Sequence, residues 1–182
     1  MKVIGVVGLP ASGKGEFAKI AAAQGVPVIV MGDMIRKAVQ EAGLSPDDTS
    51  MGQVANRLRS ERGMDAIAQL CIPVIMQQTS PLVLVDGIRG DSEVRLFKKH
   101  FPGFILVAID TSFEKRLGRL ANRGRSDDTL TAATLQARDE RELGWGLGAA
   151  LMMADHRISN NWDLATFSAS VLSLLHQLEA GA

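Results

Sequence analysis

The sequence contains no tyrosine, and aromatic residues make up only 4% of its 182 residues. An aromatic platform for stacking single-stranded bases is therefore not expected. Basic residues are not in excess either, because Lys plus Arg and Asp plus Glu both number 20. General nucleic-acid binding needs a basic surface that neutralises many phosphates, so this balance argues against it. A local pocket for one small anion is still compatible with the composition.

Cysteine and long apolar runs are also scarce. The single cysteine, Cys71, has no partner for an intrachain disulfide, which fits a reducing cytosol and predicts a cytoplasmic protein. No apolar run reaches the roughly 18 residues that a membrane span requires, so no membrane partner is predicted. The three histidines show no metal-ligand spacing with Cys71 or with each other. No pattern indicates an oligomer.

Short apolar runs alternate with helical patterns along the chain. The runs predict buried parallel strands at residues 2–7, 26–31, 82–85 and 104–109, and a weaker strand at 157–159. Helical periodicity is found over residues 16–24, 33–42, 51–62, 64–77, 113–123 and 163–179. Such alternation produces right-handed crossovers, so we predict a three-layer α/β fold around a parallel sheet of about five strands. The length predicts a single domain spanning residues 1–182.

Capping residues predict where several of these helices begin. Asp33 is the expected N-cap of the helix at 33–42, and Ser50 with Gln53 forms a possible capping box for the helix at 51–62. Ser112 and Asp163 are the expected caps of the helices at 113–123 and 163–179. Residues 43–50 and 124–129 are rich in turn-forming and polar residues and are predicted to be loops.

A glycine-rich segment directly follows the first strand and precedes a helix. Its pattern, G-x-x-x-x-G-K, is that of a phosphate-binding P-loop in the strand–loop–helix context that the motif requires. Backbone N–H groups of such a loop surround phosphates, the helix N-terminus adds positive potential, and the lysine follows the transferred charge. We therefore predict an ATP site formed by Gly8, Leu9, Pro10, Ala11, Ser12, Gly13, Lys14 and Gly15, with Lys14 catalytic.

One position departs from the usual P-loop. The residue after the lysine is normally Ser or Thr, whose hydroxyl binds Mg²⁺, but here it is Gly15. The nearby hydroxyl of Ser12 is an alternative group to face the phosphates. Glu16 fits two roles, a carboxylate near the metal or an exposed first-turn acid that favours the helix dipole, and the second is preferred. The metal geometry is therefore open.

Two further segments follow strands and carry arginine. Arg36 lies in the first turn of a predicted helix, where the dipole disfavours a cation unless it faces an anion. Asp86 ends the third strand, at the edge where open α/β sheets bind ligands, and Arg89 follows in a glycine-containing turn. A carboxylate in that position either caps a turn or holds Mg²⁺, and the accompanying P-loop favours the magnesium role.

These motifs together resemble those of adenylate kinases. The resemblance rests on Gly8-Leu9-Pro10 and Gly13-Lys14-Gly15, on Gly32, Asp33 and Arg36 as a G-D-x-x-R motif, and on Asp86-Gly87-Ile88-Arg89 as a shortened D-G-F-P-R. The chain is most similar to an archaeal-type, adenylate-kinase-related group of ATP-binding proteins. Its segment 154–160 also resembles the A-D-x-x-I-x-N ending of dephospho-CoA kinases, which lines the adenine side.

The resemblance implies an acceptor site and a lid. It assigns Asp33, Arg36 and Arg89 to the acceptor nucleotide's phosphate, with an acceptor-binding helical insertion at about 33–78. It also implies an arginine-rich lid at about 116–145. The proline of D-G-F-P-R is missing, and the region 43–78 matches no pattern for a particular base, so the acceptor stays unidentified.

The lid segment is rich in arginine. Arg116, Arg119 and Arg123 share one helix face, and Arg125 follows. Arginines of a lid stabilise the charge of phosphoryl transfer, and Arg119 and Arg123 are predicted to be catalytic. The alternative is a solvated helix whose arginines pair with acidic neighbours. For a second basic stretch, at Arg57, Arg59 and Arg62, solvated surface is preferred over contact of one of these arginines with the acceptor, and the sequence leaves the environment of Trp145 open.

Two hypotheses about function follow. The first is a small phosphotransferase that uses ATP and Mg²⁺ to phosphorylate a nucleoside monophosphate or a similar phosphorylated acceptor. The second is an ATP-binding switch or slow ATPase that acts on a partner protein, which the missing hydroxyl at Gly15 motivates.

Overall fold

The computed structural model describes residues 1–121 and 131–180. Within these ranges the strands are β1 (Lys2–Val7), β2 (Val28–Val30), β3 (Leu82–Asp86), β4 (Phe104–Asp110) and β5 (His156–Ser159). The helices are α1 (Lys14–Ala23), α2 (Met31–Glu41), α3 (Asp48–Arg62), α4 (Ala66–Met76), α5 (Asp91–His100), α6 (Phe113–Ala121), α7 (Ala132–Gly144), α8 (Leu147–Met152) and α9 (Leu164–Ala180).

The five described strands form one parallel sheet in the order β2-β3-β1-β4-β5. Side chains alternate between two apolar clusters. Val3, Val83 and Leu106 face the cluster that contains the buried residues of α2–α5 and α8. Ile4 and Leu84 face the other cluster, with α1 and α9. The predicted three-layer fold is therefore confirmed.

Strand β1 lies in the middle of the sheet, so its carboxyl end lies between the carboxyl ends of two neighbouring strands. β1 is paired with β3 on one side and with β4 on the other, so the segment after β1 lies where the strand order reverses. The carboxyl ends of strands at such a point form the usual binding crevice of an open α/β sheet. The fold thus positions residues 8–15 and 86–89 at one edge.

Some predicted helix boundaries are wrong. Helix α2 begins at Met31 after Val30, so Asp33 is inside the helix and is not its N-cap. Helix α3 is capped by Asp47, whose side chain accepts from the Ser50 N–H at 2.8 Å, so Ser50 is not the cap. The predicted stop at Gly63 is confirmed by its φ of 96°.

Three helices have no counterpart in the predicted pattern. Helix α5 buries only Glu93, Val94 and Phe97, and α7 buries Leu135 together with two acids, so neither carries a broad apolar stripe. Helix α8 has only six residues. Of the two predicted loops, residues 44–47 are loop in the structure, and residues 124–129 lie outside the described ranges. No described helix has the length and apolar character needed to cross a membrane.

Candidate functional site

The segment between β1 and α1 has the backbone of a phosphate-binding loop. Ala11 has a φ of 61° and Gly13 a φ of 114°, both in the left-handed region. A Cβ on Gly13 would lie 2.2 Å from the Asn160 Nδ2 atom, so only glycine fits. A Cβ on Gly8 would lie 2.4 Å from the Ser12 Oγ atom. Strained backbone of this kind concentrates at functional sites, where the surrounding structure holds it.

The end of β5 and helix α6 support this loop from behind. The Ser12 carbonyl oxygen accepts from Asn160 Nδ2 and from Thr111 Oγ1, both at 2.8 Å. Arg119 donates to the carbonyl oxygens of Ala11 and Ser12 at 3.4 and 3.2 Å, and to the Asn160 carbonyl oxygen at 2.7 Å. Because the carbonyl oxygens of Ala11 and Ser12 are held by these donors, the loop is fixed in its conformation.

Lys14 begins helix α1 and folds over the loop. Its Nζ donates to the carbonyl oxygens of Gly8 at 2.5 Å and Leu9 at 3.1 Å. Burial lowers the pKa of Lys14 to about 8, and the nearby carboxylates of Glu142 and Asp86 oppose this shift. Since the ammonium is desolvated, a bound multiply charged anion would stabilise its charged form.

Gly15, Glu16 and Ser12 are the residues of this segment that bear on whether the loop can bind a metal ion. A Cβ at Gly15 would meet nothing within 4 Å, so the missing side chain is not required by packing. Glu16 pairs with Lys19 at 3.3 Å on the surface, as expected for a first-turn carboxylate. Ser12 is 1% exposed, and its Oγ has no hydrogen-bond partner among the described residues.

Asp86 fits a magnesium site. It ends β3 in register with Val6 of β1, which places its carboxylate beside the phosphate loop. Its Oδ1 is buried without a hydrogen-bond partner among the described residues. Burial raises the pKa of this carboxyl, while Lys14, the Gly87 N–H and Arg89 lower it. Mg²⁺ is commonly held by one or two carboxylates plus substrate phosphates, and no cluster of three or more ligating side chains occurs in the described ranges.

Arg89 extends from the turn after β3 and meets helix α7. Its Nη1 lies 2.8 Å from Oε1 of Glu142, whose side chain is only 6% exposed. Arg138, one turn earlier on α7, lies 3.9 Å from the same oxygen. The buried Glu142 carboxylate thus orients the predicted acceptor arginine and also faces Lys14. Glu142 is one of the acidic neighbours of the lid arginines that were expected on a solvated helix, and nothing in its local pattern marks it as buried.

The other two predicted acceptor residues form a contact of their own. Asp33 and Arg36 lie on α2, half exposed, and pair with each other at i,i+3. Their role in binding an acceptor stays a prediction.

The predicted lid arginines fall into two groups. Arg116 and Arg119 lie on α6, and both contact the phosphate loop, Arg116 through the Pro10 carbonyl oxygen at 3.2 Å. Arg116 also forms a buried pair with Asp139 of α7. Arg123 and Arg125 lie outside the described residues, so the catalytic role of Arg123 stays a prediction, as does that of Arg119.

A second basic cluster surrounds Trp145 and was not predicted from the sequence. Arg59 was predicted to be solvated surface, but its side chain is 9% exposed and lies 3.8 Å from the buried Glu93 carboxylate. Burial raises the pKa of Glu93, and the Arg89 backbone N–H, which donates to it at 2.7 Å, opposes the shift. Arg59, Arg89 and Arg141 all lie over the ring of Trp145.

Comparison with known proteins gives consistent results. A family model described as an AAA domain matches residues 7–134. A UPF0200 protein from Methanoregula boonei is 63% identical over 179 residues, which are 98% of each chain. The crystal structure of TT1252 from Thermus thermophilus has a TM-score of 0.70 at 15% identity and covers 97% of each chain. Dephospho-CoA kinase from Campylobacter jejuni has a TM-score of 0.62 at 18% identity, covering 100% of this chain and 99% of that one. At these identities the structural matches establish the fold.

Proposed function

Because the chain belongs to the UPF0200 proteins and to the P-loop AAA domain family, we propose that it is an ATP-dependent phosphotransferase. In this proposal the γ-phosphoryl group of ATP passes to a small phosphorylated acceptor such as a nucleoside monophosphate. The predicted P-loop kinase-like family is confirmed and supports nucleotide binding, and we assign that binding to residues 8–15 as part of the proposal. The transfer reaction, the metal and the acceptor are the proposed part.

The observation that carries the proposal is the meeting of three charged groups at one sheet edge. Lys14 follows β1 and Asp86 ends the adjacent β3, and Arg89 comes three residues later. They interact electrostatically: Asp86 favours the charged form of Lys14, whereas Arg89 disfavours it. One phosphate-binding loop, one carboxylate and one acceptor arginine at the same edge are the parts that positioning of a phosphoryl group requires.

Each residue has a defined task in this proposal. The loop N–H groups and the N-terminus of α1 bind the ATP phosphates. Lys14 stabilises charge on the transferred group, and Arg89, oriented by Glu142, places the acceptor in line. Asp86 would hold Mg²⁺, which would neutralise charge on the phosphates when bound. No strong general base is needed when the acceptor is itself a charged phosphate.

A coupled assay of ADP release tests this function. The protein is incubated with ATP and Mg²⁺ and with each of a panel of nucleoside monophosphates and dephospho-CoA. We expect at least one acceptor to stimulate ADP release, and Arg89→Ala to raise the KM for that acceptor more than the KM for ATP. Arg57→Ala is the matched control, because Arg57 is exposed and pairs with Glu61 at the surface.

Two results would contradict the proposal. ADP release that no member of the panel stimulates would favour the alternative, a switch or slow ATPase acting on a partner protein. An acceptor KM unchanged in Arg89→Ala would remove Arg89 from the acceptor site.

A further inference from the structure

Three guanidinium groups from three separate elements converge on Trp145. Arg59 of α3 lies 5.5 Å from the ring centroid, and Arg89 of the β3–α5 turn and Arg141 of α7 each lie 5.7 Å from it. Like charges repel, so such convergence is unfavourable unless aromatic faces, counterions or a ligand compensate it.

The protein's own acids compensate this charge only in part. Glu93 lies 3.8 Å from Arg59, and Glu142 lies 2.8 Å from Arg89. Arg138, near Glu142, adds a fourth guanidinium. Among the described residues of this cluster, positive groups therefore outnumber negative ones, and the excess suits a doubly charged anion.

Arg59 and Trp145 tie the cluster to the packing of the protein. Arg59 is 9% exposed, whereas Arg57 on the same helix is 57% exposed. A Cβ on Gly90 would lie 2.7 Å from the Trp145 carbonyl oxygen, so the start of α5 and the end of α7 approach closely. Arg59, Met64, Arg89, Gly90, Ser92, Glu93 and Trp145 line a small cavity at this junction.

We propose that Arg59 and Arg141 join Arg89 over Trp145 to bind the phosphate monoester of the acceptor. This deepens the proposed phosphotransferase and rests on it only for the identity of the ligand as acceptor. Planar guanidinium groups suit phosphate oxygens because they donate in pairs with fixed geometry. Arg89 is the residue shared with the catalytic edge, so it would connect the bound phosphate to the position of transfer.

Tryptophan fluorescence tests the site without turnover. Trp162→Phe removes the other tryptophan, which is 70% exposed, and leaves Trp145 as the reporter. The variant is saturated with ADP so that the phosphate loop is filled, and is then titrated with inorganic phosphate and with glycerol 3-phosphate. Sodium chloride at matched ionic strength is the reference.

We expect a saturable change in Trp145 fluorescence with both phosphate probes and none with the salt. In the same background, Arg59→Ala should raise the Kd about tenfold, since a charged hydrogen-bond donor is lost. Arg141→Ala should raise it several-fold, and Arg57→Ala should leave it unchanged. Arg141 is exposed, so its variant tests the site even if loss of Arg59 beside buried Glu93 prevents folding.

The site is rejected if neither probe gives a saturable change, or if Arg59→Ala and Arg141→Ala bind phosphate as Arg57→Ala does. Arg59-dependent binding without acceptor-stimulated ADP release would support the site and reject the phosphotransferase. Acceptor-stimulated ADP release without Arg59-dependent phosphate binding would reject the site and support the phosphotransferase.

Discussion

Arg116 and Asp139 form a buried bidentate ion pair, with Nη1–Oδ1 and Nη2–Oδ2 distances of 2.8 and 2.6 Å. The pair joins α6 to α7, and Arg116 also reaches the Pro10 carbonyl oxygen. It therefore connects the phosphate loop to the helix that carries Glu142. Asp139 and Glu142 are the two buried acids of α7, and they lie at positions i and i+3 on one face of the helix.

Breaking this pair should cost much of the protein's stability. Asp139→Ala leaves the Arg116 guanidinium buried without its counterion, and removing one partner of a buried pair typically costs about 3–5 kcal/mol. Urea unfolding measures the change. Asp110→Ala is the control, because the Asp110–Arg157 pair is 45–48% exposed and should contribute less than about 1 kcal/mol. Equal losses from the two variants would show that burial of the pair is not what matters.

Nucleotide affinity should depend on the protonation of Lys14. Burial lowers its pKa to about 8, and bound phosphates would raise it again by favouring the ammonium. Binding is therefore expected to take up a proton just above pH 8, and affinity should fall as the pH rises through this range. Calorimetry of ADP binding in buffers of different ionisation enthalpy measures the uptake. Lys14→Arg should abolish this pH dependence, because guanidinium stays charged.

The lowered pKa of Lys14 also predicts the effect of pH on stability. In the unfolded chain Lys14 has its ordinary pKa of 10.5, so between about pH 8 and pH 10.5 the unfolded state binds more protons than the folded one. The contribution of Lys14 to the free energy of unfolding therefore increases as the pH rises through this window.

An affinity for ADP that is constant from about pH 7 to about pH 9.5 would contradict the lowered pKa of Lys14, on which both pH predictions rest.

Asp86→Asn should separate metal binding from folding. The amide keeps the shape of the side chain but removes a buried carboxylate whose Oδ1 has no partner among the described residues. Since burial of that charge is unfavourable, as the raised pKa of Asp86 indicates, we expect the free energy of unfolding to stay the same or increase. Mg²⁺ should then no longer strengthen ATP binding. An unchanged effect of Mg²⁺ in the variant would exclude Asp86 as the metal residue.

Two glycines of the loop should respond differently to the same substitution. Gly13→Ala adds a Cβ at a φ of 114° and 2.2 Å from Asn160 Nδ2, so we expect nucleotide binding to be lost. Gly15→Ala adds a Cβ into open space within helix α1, where alanine is favoured by about 1 kcal/mol, so thermal stability should rise slightly. Equilibrium binding of ADP and thermal unfolding distinguish the two. Comparable loss of ADP binding in both would show that Gly15 has a role which packing does not reveal.

Local patterns were sufficient for much of the fold. The strand runs, the stop at Gly63 and the caps at Ser112 and Asp163 depend on neighbouring residues, and the structure contains each of them. The cap of α3 was misplaced because Ser50 has the same capping chemistry as Asp47, and that of α2 because the helix begins after Val30, which has no capping side chain.

Arg59 shows what a local pattern leaves ambiguous. It is two residues from Arg57, which on a helix is a rotation of about 200°, so the two arginines point to opposite sides. Arg59 follows the apolar Ala55 by four residues, and this spacing was a signal that it faces inward. A charge run suggested solvent exposure, and that interpretation was wrong for Arg59.

The sequence by itself determined the phosphate loop, because residues 8–15 are contiguous and their backbone conformation depends on local glycines and on the strand and helix that flank them. Tertiary structure alone decided which residues support and complete the site. Asn160 holds the loop from 148 residues away, and Glu142 orients Arg89 across 53. Contacts over such separations follow from strand order and helix packing, which no local spacing encodes.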